Sequence, residues 1–97
     1  MGPRAGTRRR ARWERDERAL WRAAPGLIVV LGPRGQAPIA LHGSAVALWA
    51  ALDRPRTVTE LVGHLALAFD SDPEIIRADV QPVLDQLAEA GAVRRAP

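Results

Sequence analysis

The stretch "APIALHGSAVALW" (residues 37–49) changes its apolar period in the middle. Ala37, Ile39 and Leu41 alternate as on a strand, and from Ser44 onward Val46, Trp49 and Leu52 recur at helical spacing. Only His42 and Gly43 separate the two regimes. This switch happens once and divides the chain into a β half followed by an α half. A short strand carrying Pro38 and set hard against a helix also reads as an unfinished sheet edge, because proline has no N–H to give a further ladder.

Two more strands precede the switch. "RALWRAA" (18–24) puts Leu20 on one face and Trp21 on the other, and "LIVVL" (27–31) is β-branched and too short for a stable helix. Pro25-Gly26 and Gly32-Pro33-Arg34-Gly35 are turn sequences, so short connections predict an antiparallel meander ending in a third strand over 37–42. The helices carry their own punctuation. The first opens near Ser44 as its cap, buries Val46, Trp49 and Leu52, and stops before Pro55. "TVTE" (57–60) has the form of a capping box, and the helix behind it presents Val58, Leu61, Val62, Leu65 and Phe69. Asp72 before Pro73 starts the last helix, with Ser71 and Glu74 as an alternative capping pair. That helix presents Ile75, Ile76, Val80, Val83, Leu84 and Leu87, should bend at Pro82, and stops at Gly91. The expected fold class is α+β: a three-stranded antiparallel sheet followed by three helices, like a winged helix-turn-helix.

A chain of 97 residues holds one domain. Residues 1–16 read as a basic, disordered tail and 17–95 as the folded domain, with a transient helical turn allowed over the alternating charges of 12–17. The first 22 residues hold eight arginines against three acids, whereas the remainder holds six against eight. Basicity therefore belongs to the tail and not to the domain. Without cysteine there is no disulfide, thiolate nucleophile or Cys-ligated metal. The longest apolar run, Leu27 to Leu31, falls far short of the roughly 20 residues of a membrane helix. No signal peptide is visible, so the expected location is the cytoplasm.

Chemistry is sparse. His42 and His64 are the available bases, and the nearest hydroxyl, Ser44, is engaged at a helix start. Two histidines with scattered acids do not match a zinc spacing, and "GPRG" is a turn rather than a phosphate loop. Neither an enzyme nor a cofactor or metal site is expected. A helix-turn-helix raises the question of DNA, but the last helix exposes Asp72, Glu74, Asp79, Asp85 and Glu89 against Arg77 alone. Such a face repels phosphates. A winged-helix DNA-binding regulator that uses its Arg-rich tail is the alternative reading.

The edge strand leads to a different partner. Beyond Pro38-Leu41 we expect a trough walled by the last helix, where a peptide could add as a further strand. The stretches "LWRAAPGLIVVLGPRGQAPIALHGSAVALWAALDRPRTVTELV" and "TVTELVGHLALAFDSDPEIIRADVQPVLDQLAEAGAV" carry a resemblance across about Ala19 to Val93. A strand pair, a small-residue turn, a helix bearing tryptophan, a capped helix, an Asp-Pro start and a closing glycine resemble, in that order, the PqqD-like family. This is the recognition element of pathways for ribosomally made, post-translationally modified peptides (RiPPs). The resemblance implies a non-catalytic module that binds a precursor's leader peptide by strand addition and presents it to a modifying enzyme. Carried onto this chain, the implied peptide-binding residues are Pro38, Ile39, Ala40 and Leu41 on the third strand and Ile76, Asp79, Val80, Val83 and Leu84 on the last helix. Trp49 and Phe69 are placed in the core. Partners are thus the leader peptide and an enzyme, not a membrane or nucleic acid, and a homodimer through the open sheet edge stays open.

Overall fold

A computed structural model describes residues 11–35 and 37–97. In chain order its elements are β1 (Arg12–Arg15), β2 (Leu20–Ala24), β3 (Leu27–Leu31), β4 (Ile39–Leu41), α1 (Ser44–Ala51), β5 (Arg56–Thr57), α2 (Val58–Phe69), α3 (Pro73–Glu89) and β6 (Val93–Arg95). The fold class is α+β, with the expected meander present as the sheet β2-β3-β4. Leu20 pairs with Leu31 and Ala24 with Leu27, while Ile28 pairs with Leu41 and Val30 with Ile39. That register places Ile28, Val30 and Leu41 on the face turned to the core, where all three are buried.

A second sheet, ordered β5-β1-β6, corrects the expectation of a single one. Residues 12–15, assigned to the tail with a helical turn, form its central strand. The boundary at residue 16 therefore falls inside the ordered fold, and residues 1–10 of the tail lie outside the described residues. "RWER" has no apolar alternation to read, and its strand state comes from partners far away in sequence. Trp13 pairs with Arg56 on one side and Arg95 on the other, and Glu14 faces Arg94, whose guanidinium lies 2.8 Å from its carboxylate. Asp16 N–H donates to Ala92 O at 2.9 Å, and Ala96 N–H to Arg12 O at 2.8 Å.

Helix α1 begins after Gly43, whose φ of 58° only glycine adopts without strain, so Ser44 is the first helical residue and not the cap. Its last carbonyls meet arginines from elsewhere, since none of the three helices has a basic residue in its last turn. Arg15 donates from Nε and Nη2 to Trp49 O at 3.0 and 2.8 Å, and Arg56 Nε donates to Ala51 O at 2.7 Å. The same Arg15 guanidinium lies 4.8 Å from the Trp21 ring centre and 5.1 Å from that of Trp49. The two indoles meet edge to face at 5.9 Å. Trp49 is wholly buried, as expected, with its Nε1 lacking a partner among the described residues.

The capping box at α2 is formed on both sides: Thr57 Oγ1 accepts from Glu60 N–H at 3.1 Å, and Glu60 accepts from Thr57 N–H at 2.8 Å. The latter bond holds the Glu60 carboxyl below its usual pKa. At α3, Asp72 caps Glu74 N–H at 2.7 Å, and Ser71 turns back to Phe69 O instead. Helix α3 continues through Pro82 and ends before Gly91, which takes φ 76°. Phe69, expected in the core, is 45% exposed, and Ile75 is 60% exposed. Both flank the α2–α3 turn, where helical spacing alone does not say whether another layer lies opposite.

The turn between β3 and β4 closes on the end of α3. Arg34 donates from its backbone to Ala90 O and from Nη2 to Ala88 O, each at 2.9 Å. Gly32 passes so near that an added Cβ would overlap the Ala90 carbonyl. Gly32→Ala should therefore cost about 1–3 kcal/mol, read as a lower urea midpoint at unchanged slope.

Asp16 anchors the β1–β2 turn and is the buried charged side chain among the described residues. Hydrogen bonds from the Arg18 guanidinium, then from Arg18 N–H, depress its carboxyl pKa well below the usual 3.8. A depressed carboxylate stabilises the fold above its unfolded pKa and loses that contribution as pH falls through the folded value. Asp16→Asn should thus be less stable than the parent at pH 7. The gap should narrow as pH is lowered from 4 to 2, followed by urea titrations at each pH.

Candidate functional site

Strand β4 is an edge of its sheet, paired with β3 on one side only. Its length follows from its neighbours: Pro38 precedes it, and Gly43 with α1 cuts it off two residues after Leu41. Three residues with an unpaired rim leave backbone N–H and C=O groups for another strand. Along β4 the environment alternates. Leu41 is buried, Ala40 is exposed, and Ile39 is half-buried against the core.

The nine residues implied for peptide binding divide sharply by burial. Leu41, Ile76, Val80 and Leu84 are no more than 3% exposed, so their side chains belong to the core. Pro38, Ala40 and Asp79 are exposed, and Ile39 and Val83 are half-buried. Ile39 from β4 and Val83 from α3 pack from outside against the same core cluster. Ile76, implied as a peptide-binding residue, therefore lies in the core, because α3 turns Ile76, Val80, Leu84 and Leu87 inward together. A one-sided stripe at 3.6-residue spacing needs only one covering layer, and here the whole stripe is covered.

His42 and His64 are both exposed, one past β4 and the other on α2. Among the described residues, no group of three or more His, Cys, Asp or Glu could hold a metal ion. Nor is any helix among them long and apolar enough to cross a membrane.

The sequence reading missed a second feature, the outer face of the β2-β3-β4 sheet. Leu20, Arg22, Ala24, Leu27, Val29, Leu31 and Pro38 line a shallow hollow of about 740 Å³ there, with Trp21 reaching its edge from the core side. Leu20 is 68% exposed. The signal was present in "LIVVL", which is apolar at both parities. A strand with one solvated face should alternate with polar residues, and this one does not.

With this geometry in place, comparison with known proteins is direct. Residues 28–93 match the family model of coenzyme PQQ synthesis protein D (PqqD). Among curated proteins no sequence matches. Among solved structures, the chain is similar to the PqqD portion of PqqCD from Methylobacterium extorquens, described as a functional, stand-alone RiPP recognition element. The identity is 28%, the TM-score 0.68, and the likeness covers 87% of this chain and 89% of that one. The family match takes in nearly all of β3, all of β4, all three helices and the turn that seals α3, and the chain belongs to the PqqD family.

Proposed function

We propose that this protein is a non-catalytic recognition module. It captures the leader of a ribosomally made precursor peptide as an added strand on the rim of β4 and presents it to a modifying enzyme. The observation that carries this reading is the unpaired edge of β4 in a chain of the PqqD family. The solved relative's description as a RiPP recognition element supports it further. Backbone bonds to β4 would supply affinity, and side chains alternating along the visitor would supply selectivity. Those turned to the core side would meet Ile39 and Val83, with Asp79 at the rim. Leu41, Ile76, Val80 and Leu84 would act from beneath, by holding β4 and α3 in place. The α2–α3 pair behind a sheet is, in this reading, a winged helix-turn-helix turned to peptide binding, and it works in the cytoplasm where precursors are made.

The test is a titration of the labelled protein with synthetic leaders of candidate precursor peptides from its own genome, followed by amide shifts. Perturbations should fall in residues 37–42 and 72–87, and perturbations elsewhere overturn the site. Val83→Asp should weaken binding at least about tenfold, because it sets an unpaired charge against an apolar side chain of the visitor. Leu41→Asp is no substitute, since Leu41 is core and its loss would unfold the domain.

A further inference from the structure

We infer that the outer face of the β2-β3-β4 sheet is the docking surface for the modifying enzyme, and that the enzyme brings a carboxylate to Arg22. The inference rests on the leader-capture reading and adds the place where the second partner binds.

Leu20, Leu27, Val29, Leu31 and Pro38 make this face apolar, and Arg22 is set among them. On its own strand Arg22 lies between Leu20 and Ala24, and across the ladder it pairs with Val29. No ion pair is formed by Arg22 among the described residues. An apolar patch interrupted by one unpaired cation calls for an apolar partner surface with one anion. A second copy meeting this face symmetrically would bring another Arg22 and no carboxylate, so charge selects a different protein.

Size points the same way. Three strands at a spacing of about 4.8 Å, up to five residues long, present a few hundred Å² at most. Stable pairs need roughly 800 Å² per partner, so this face suits a visitor that leaves again. Position supplies the third argument. A strand added beside β4 would turn alternate side chains outward, level with Ala40 and one strand beyond Val29. An enzyme on this face would therefore touch the module and the captured leader together.

The experiment uses the full chain and the purified modifying enzyme that acts on the precursor it binds, with binding measured by calorimetry with and without leader. Leu20→Asp and Arg22→Glu alter exposed side chains of β2, and amide spectra check that both variants keep the fold. Expected is an enzyme affinity at least about tenfold weaker for each variant, with leader affinity equal to that of the parent. Equal enzyme affinity in parent and variants overturns the inference, as does a parent that binds no enzyme. Loss of leader affinity in these variants would assign the face to the leader and overturn it too. Self-association of the module abolished by Leu20→Asp, seen by sedimentation, would assign the face to a second copy and likewise overturn the inference. Failure of the parent to bind leader in the absence of enzyme bears on the leader-capture reading alone, because enzyme docking is read separately.

Discussion

The structure turns on the guanidinium of Arg15. It lies against the rings of both Trp21 and Trp49 while donating to the last carbonyls of α1, so one side chain joins β1, β2 and the first helix. Helix ends leave carbonyls unsatisfied, and α1 has no basic residue of its own to meet them. Hydrogen bonds from a charged donor contribute about 1.5–3 kcal/mol each, more than neutral ones, so supplying the cation from a distant strand couples the two regions strongly. Arg34 does the same for α3 from the β3–β4 turn. Arg15, Arg34 and Arg56 are structural cement at helix ends, and the planar, permanently charged guanidinium suits that task.

Closing the chain ends in this way has a consequence for the other sheet. Strand β1 pairs with β5 and β6, where it joins the beginning of the domain to its end, and takes no part in the meander. Among the described residues, the meander keeps a free rim at β4 and an uncovered apolar outer face, while its inner face is filled by the helices. Natural sheets usually blunt such rims, and β4 is blunted by its shortness and by Pro38. In the proposed reading a captured leader occupies that rim. The outer face, where Arg22 forms no ion pair among the described residues, then takes the modifying enzyme.

Much of this could be read before any coordinates. The turns at Pro25-Gly26 and Gly32-Gly35, the capping box at Thr57 and Glu60, and the Asp72-Pro73 start were legible because each depends on neighbours in sequence. The site was legible in part. That β4 is an edge follows from Pro38 and its brevity, but which α3 residues face a visitor does not. Ile76 and Val83 look alike in sequence, yet the packing of α3 buries the first and leaves the second half-exposed. Phe69 and Ile75 fail in the opposite sense, as apolar residues at helical spacing left exposed at the α2–α3 turn.

By itself, then, the amino-acid order determined the single change of period, the antiparallel meander, the three helices and their starts, because these rest on local dihedral preferences and short-range hydrogen bonds. Tertiary structure alone decided that "RWER" is a strand, that Arg15 meets Trp49 as well as Trp21, and that the outer face of "LIVVL" is bare among the described residues. The first two depend on groups tens of residues apart meeting in space. A strand of two to four residues has no period of its own, and an apolar side chain does not encode which layer will cover it.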